Sequence, residues 1–345
     1  MKLQRIGLTH GDINGIGYEV LLKVLQDPEL LEFCTPIIFG SAKIAQATAA
    51  QIGIEQVPLY TIANAADAID GHINLVQVCN DDELELQFGQ QTEAALQAEA
   101  NSLTAALDAF THRHIDALVT LPGHLDNDAD SHALTDFIHR ALGGEEEAFD
   151  WIINGALRTL ELHMMDVSTE LGEGLAREAF LAHLKAINNN LRLDFGMIRP
   201  RLAVISPQEK LRSAIEELQE EGIMAFGPFV PHTFTEANNQ LHYDGNLYLD
   251  APNAHKQVLM QRDAEYTIGY VSGLPLVLTY PLQSISYDIA GRGEASEISL
   301  RQAIYAAIDI VRARINYRHA THHPLEKQWI PRGRDDFKLD LTKEE

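Results

Sequence analysis

Thr9-His10-Gly11-Asp12-Ile13-Asn14-Gly15-Ile16-Gly17 lies between an apolar run, Arg5 to Leu8, and a helical pattern, Tyr18 to Leu25. The run reads as a short buried strand, and Val20, Leu21 and Val24 share one face of the helix. A strand, a glycine-rich turn and a helix together form the usual cradle for a phosphate or another anion, because the helix N-terminus offers free N–H groups. Gly11, Asp12, Gly15 and Gly17 are therefore candidate anion-turn residues. The same pattern also fits a plain tight turn in an α/β domain, and the turn alone does not choose between the two.

The rhythm continues outward from this turn. Pro36–Gly40 and Ile73–Cys79 read as further strands, with one helical segment between the first two strands. A long helix over Gln91–His112 carries Leu96, Leu103, Leu107 and Phe110 near helical spacing and feeds the strand Ile115–Thr120. Phe149–Ile153 and Leu157–Leu162 read as neighbouring strands, and Ser168 as the N-cap of a helix. Leu202–Ser206 is a strand, and Lys210–Gly222 an amphipathic helix ending at a glycine. Gly245–Leu249 and Leu274–Tyr280 are strands, Glu297–Tyr317 is the closing helix, and the tail from His322 reads as a surface arm. Alternation of this kind predicts an α/β fold, a mostly parallel sheet covered by helices.

Composition narrows the function classes. A chain of 345 residues with 46% hydrophobic residues is long enough for two domains and a large core. Its formal net charge of −24 argues against nucleic acid and against an anionic membrane surface as partners. It also makes an anionic ligand harder to attract unless local cations or helix N-termini offset the field. No stretch of 18 apolar residues and no basic leader is present, so the cytoplasm is the expected compartment. Cys34 and Cys79 are expected to be reduced there.

The spelling of the turn resembles the GDPAGIG opening of the 4-hydroxythreonine-4-phosphate dehydrogenase family. Further matches are Thr120-Leu121-Pro122, Gly273-Leu274-Pro275, Asp288-Ile289-Ala290-Gly291-Arg292-Gly293 and the helix led by Ser299, in the family's order. The resemblance covers roughly residues 3 to 325. It implies the two-domain α/β/α arrangement of the isocitrate and isopropylmalate dehydrogenases. Residues 1–125 with 290–345 would form one α/β domain, and 126–289 a middle domain carrying a homodimer interface. It also implies NAD(P)-dependent oxidation of a secondary alcohol on 4-phosphohydroxy-L-threonine, followed by decarboxylation, with a divalent metal as Lewis acid.

The chemical groups of that family are mostly replaced here. Its three metal-binding histidines correspond to Glu161, Gln208 and Asn253, with His163 and His255 close by. One carboxylate and two amides are a poor set for zinc or cobalt, so no metal is expected at that position. A rearranged site from Glu161, His163 and His255 is the competing reading. The family's substrate-binding His and Thr correspond to Leu134 and Thr135, and its Lys, Asn and Arg to Gln261, Gly269 and Leu278. Leu125 stands in place of a further lysine. After the family's R-T-S the cofactor segment P-D-H-G-T-A is rewritten, the run here being Leu278-Thr279-Tyr280-Pro281-Leu282-Gln283-Ser284-Ile285-Ser286.

From these replacements the chain is expected to use no cofactor and to be silent in the family reaction. Its expected partners are a second copy of itself, a small anionic ligand or an active paralogue. Two alternatives stay open. One is new chemistry in the old cleft, drawn from Asp12, Asp136, Glu161, His163, His232 and His255. The other is the family reaction with altered ligands.

Overall fold

The structure, a computed structural model, describes residues 3–55, 57–124, 133–143, 147–162, 174–249 and 263–322. Its strands are β1 (Gln4–Thr9), β2 (Cys34–Gly40), β3 (Leu59–Ile62), β4 (Ile73–Gln77), β5 (Ala117–Val119) and β6 (Phe149–Asn154). They continue with β7 (Leu157–Leu162), β8 (Arg201–Ile205), β9 (Met224–Phe229), β10 (Gly245–Leu249), β11 (Thr267–Ser272) and β12 (Val277–Pro281). The helices are α1 (Gly17–Val24), α2 (Leu30–Phe33), α3 (Ala42–Gln51), α4 (Glu93–Thr111) and α5 (Ala133–Ala141). They continue with α6 (Gly174–Phe195), α7 (Arg212–Glu220), α8 (Pro231–Glu236) and α9 (Ile298–His322). No described helix is long and apolar enough to cross a membrane.

All the described strands join one sheet in the order β3-β4-β2-β1-β5-β12-β11-β6-β7-β10-β8-β9. Only the β11–β12, β11–β6 and β6–β7 pairs are antiparallel, so the mostly parallel α/β expectation holds. Parallel strands are covered on both faces, which is why β2 is buried at every position and shows no alternation. From β1 the chain builds β2, β4 and β3 on one side, then returns as β5 on the other. The strand order therefore reverses between β1 and β5, where open α/β sheets place their ligands.

The caps follow the sequence. Ser41 Oγ accepts from Ile44 N at 3.1 Å to start α3, and Thr92 Oγ1 accepts from Ala95 N at 3.2 Å to start α4. Three strands escape the sequence pattern. β3 is an edge strand with Tyr60 and Thr61 exposed, β9 is an edge strand with little buried, and β11 is buried throughout. The strand placed at Leu274–Tyr280 begins instead at Val277, because Gly273-Leu274-Pro275 makes the turn from β11. Gly273 has φ +85, and a Cβ there would lie 2.1 Å from the Glu147 carbonyl oxygen. The single helix expected between β1 and β2 is two, α1 and α2, and Leu96 faces outward rather than into the core. Ser168 and the tail beyond residue 322 lie outside the described residues.

A buried polar cluster joins α9 to the other half of the sheet. Arg314 Nε donates to Asp194 Oδ1 of α6 at 2.5 Å, and its Nη1 donates to the carbonyls of Leu274 and Pro275 at 3.2 and 3.0 Å. The Tyr270 hydroxyl donates to the other Asp194 oxygen, and burial holds that hydroxyl protonated. A buried pair of this kind is costly to break because the survivor is left charged and unpaired. Arg314→Met should cost about 3–5 kcal/mol in urea denaturation, and Arg314→Met with Asp194→Leu clearly less than the two single changes summed. Additive losses would show that the cluster does not act as a unit.

Candidate functional site

Close backbone packing shapes the turn after β1. Gly11 has φ +63, and a Cβ there would fall 2.1 Å from the Pro122 carbonyl oxygen. A Cβ at Gly17 would fall 2.0 Å from the His10 oxygen, and one at Gly15 2.4 Å from Ile285 Cγ2. The amides are engaged as well. Asp12 N donates to Pro122 O at 3.0 Å, Gly15 N to Asp12 O at 3.2 Å and Ile16 N to Ile285 O at 3.1 Å. Asn14 N donates to Asp12 Oδ1 at 2.7 Å. Four N–H groups of the turn are thus bonded within the chain. Gly11, Gly15 and Gly17 each stand where a neighbouring atom approaches too closely for a side chain.

The side chain of Asp12 organises what stands at the switch point. It is fully buried, and its Oδ2 lies 2.8 Å from His124 Nε2 and 2.5 Å from the Tyr287 hydroxyl. The Tyr287 oxygen is also 3.1 Å from His124 Nε2. Glu99 of α4 accepts from the His124 backbone N at 3.1 Å. Burial, then the Asp12 carboxylate, raises the Tyr287 hydroxyl well above its ordinary range, so it remains a donor. Asn14 braces the turn from behind, accepting from Gln87 N at 2.8 Å and donating to Gln90 O at 3.0 Å. Sequence reasoning found Asp12 but missed His124, Tyr287 and Glu99. The available signal was position, since His124 closes the Thr120-Leu121-Pro122 strand end and Tyr287 precedes Asp288-Ile289-Ala290-Gly291.

A second cluster lies across β12, β11 and β6. Leu278 is buried in an apolar group with Leu118, Val271 and, from α5, Leu134 and Ile138. Thr135 is buried on α5 as well. Gly269 pairs with Tyr280 across β11 and β12, and a Cβ at Gly269 would meet Tyr280 Cζ at 2.0 Å. The Tyr280 hydroxyl donates to Asp150 Oδ1 at 2.5 Å. Burial pushes the Asp150 carboxyl up to about 7, against the pull of that hydrogen bond.

The positions equivalent to the family's metal ligands are only partly described. Glu161 ends β7 and Gln208 follows β8, with β10 between those strands. Asn253, Gln261, Leu125, His163 and His255 lie outside the described residues. His232 is exposed on α8 and paired with Glu236 at 3.1 Å, a surface ion pair. Among the described residues no three His, Cys, Asp or Glu side chains converge as metal ligands. For the nicotinamide cofactor, Ile285 covers the Gly15 backbone with its own side chain and is itself buried. Leu282 is left partly exposed beside it.

The comparisons with solved structures agree with the topology. The 4-hydroxythreonine-4-phosphate dehydrogenase of Klebsiella pneumoniae matches with a TM-score of 0.71 at 20% identity, over 89% of this chain and 99% of that one. The enzyme of the same name from Burkholderia phymatum matches at 0.66 and 23%, over 90% and 99%. These likenesses show that the chain shares the α/β fold of those structures. The chain is also 34% identical over 367 residues to the 4-hydroxythreonine-4-phosphate dehydrogenase of Bacteroides thetaiotaomicron, covering 98% of this chain and 97% of that protein. Residues 32–307 match the family model of the pyridoxal phosphate biosynthetic protein PdxA, and the chain belongs to that family. Membership corrects one expectation. The family is one of dehydrogenases that use NAD(P) and a divalent metal, so the expectation that this chain uses no cofactor is withdrawn.

His10 supplies a pH test of this site. It is fully buried, stacks on Tyr18 at 5.0 Å, and has no hydrogen-bond partner for Nε2. Burial lowers its pKa from 6.5 to about 4. The folded state therefore resists protonation, and stability present above pH 6.5 is lost as the pH falls toward 4. Chemical denaturation should show His10 contributing about 3 kcal/mol to that loss. His10→Gln should flatten the slope, and an unchanged slope would contradict the buried neutral imidazole.

Proposed function

We propose that the chain keeps the PdxA fold but does not oxidise 4-phosphohydroxy-L-threonine, because its own side chains fill the substrate subsite. The observation that carries this is the Gly269–Tyr280 pair. By resemblance the family has Asn and Ser at these two positions, and here they are Gly and Tyr. Volume has moved from one strand to its register partner. The Tyr280 ring now stands where a side chain at 269 would be, and its hydroxyl is satisfied by Asp150. Leu278 puts a buried apolar side chain where the family has Arg. A phosphate dianion there would lose its charge-assisted hydrogen bonds in a chain of net charge −24.

In the family reaction NAD(P) supplies the hydride acceptor and the metal polarises the alcohol. What this chain lacks on the present reading is the means to hold and orient the substrate, worth several kcal/mol of barrier. The division into 1–125 with 290–345 and 126–289, and pairing through the middle segment with a second copy or an active paralogue, belong to the same proposal. So does a cytoplasmic location.

The test is an assay of the purified, folded protein with 4-phosphohydroxy-L-threonine, NAD or NADP, and added magnesium, zinc or cobalt. No reduced nicotinamide should form above the rate of the protein-free control. Turnover near the enzyme median of about 10 per second would establish the family reaction with altered ligands instead.

A further inference from the structure

We propose that Asp12, His124 and Tyr287 form a proton-transfer site at the β1–β5 switch point, one that takes a neutral small molecule bearing a hydroxyl or carbonyl group. The site stands apart from the subsite filled by Tyr280 and goes beyond the reading given above.

Geometry assigns the roles. The Asp12 carboxylate accepts from His124 Nε2, which places the imidazole proton on Nε2 and leaves the Nδ1 lone pair as the base. His124 keeps about a fifth of its side-chain surface exposed, at 21%, whereas Asp12 has none. The imidazole therefore reaches solvent while its orienting partner does not. The Glu99 bond to the His124 backbone fixes the residue, and a Cβ at Gly123 would fall 2.0 Å from Glu99 Oε1. Tyr287 donates to the same Asp12 oxygen and stays protonated, so it can stabilise charge without competing as a base.

The ligand class follows from charge. Asp12 is held by Asn14 N, His124 and Tyr287, and among the described residues its ion-pair partner is the imidazole of His124. Glu99 adds a second carboxylate. Lys23, at the end of α1, is committed to Glu19 and to the carbonyls of Gly293 and Ala295. An anion brought to His124 would face the buried Asp12 carboxylate, so a neutral polar molecule is favoured. The step itself is a proton transfer. His124 Nδ1 takes a proton from an acidic O–H or from a C–H beside a carbonyl, and the imidazolium formed is stabilised by Asp12 until the proton is returned.

The experiment uses diethyl pyrocarbonate on the intact protein, with modification mapped by mass spectrometry. Imidazole Nδ1 attacks a carbonyl carbon and ethyl carbonate leaves; that group takes up the imidazole proton and breaks down to ethanol and carbon dioxide. His124 should react at least as fast as the exposed His112, despite its lower exposure. Asp12→Asn, which removes the carboxylate that orients the ring, should slow His124 several-fold and leave the exposed His112 unchanged. Dihydroxyacetone should protect His124, and glycerol 3-phosphate should not. Tyr287→Phe, a milder change than Asp12→Asn, should leave His124 reactive but weaken protection by dihydroxyacetone. An unreactive His124 in the wild-type protein, or a reactivity indifferent to Asp12→Asn in a folded variant, would overturn the base. Protection by the phosphate and not by the ketone would overturn the ligand class. Neither result bears on the turnover assay, so this proposal and the filled subsite fail separately.

Discussion

The hydrogen bond from Asp12 N to Pro122 O, made across Gly11, holds the ends of β1 and β5 together, and the site depends on it. No side chain fits at Gly11, whose φ is +63 and whose missing Cβ would overlap the Pro122 oxygen. With that contact in place, Asp12 is buried pointing at His124, and the segment through Ile285 and Tyr287 closes over the turn. Close packing makes the turn rigid, and it presents the Asp12 carboxylate to His124 and Tyr287.

The same substitution of contacts recurs at β11 and β12. Tyr280 and Gly269 are complementary in volume, and neither makes sense without the other. Tyr280 packs against the apolar cluster that holds Leu278 and Leu134. The buried Arg314–Asp194–Tyr270 cluster shows that the chain still maintains a costly polar junction where the fold needs one.

Much of the fold was legible in the sequence because parallel strands and their helices leave strong periodic signals. β1, β2, β7, β10, α4 and α9 lie where the pattern put them, within a few residues at their ends. β11 was invisible because a strand buried on both faces has no alternation, and β3 and β9 because edge strands bury too little. The site was half legible. Asp12 stood in a readable motif, but His124 and Tyr287 meet it only through the crossover from β1 to β5 and the return through β12. The Gly269–Tyr280 exchange was equally hidden, since each residue looks like a simple loss until the register pairs them.

The most direct measurement is a crystal structure grown in the presence of 4-phosphohydroxy-L-threonine. The account predicts density for the Tyr280 ring over Gly269 with its hydroxyl on Asp150, and no phosphate between β11, β12 and α5. A Tyr280 side chain swung out of that position, with the phosphorylated amino acid bound in its place, would contradict it.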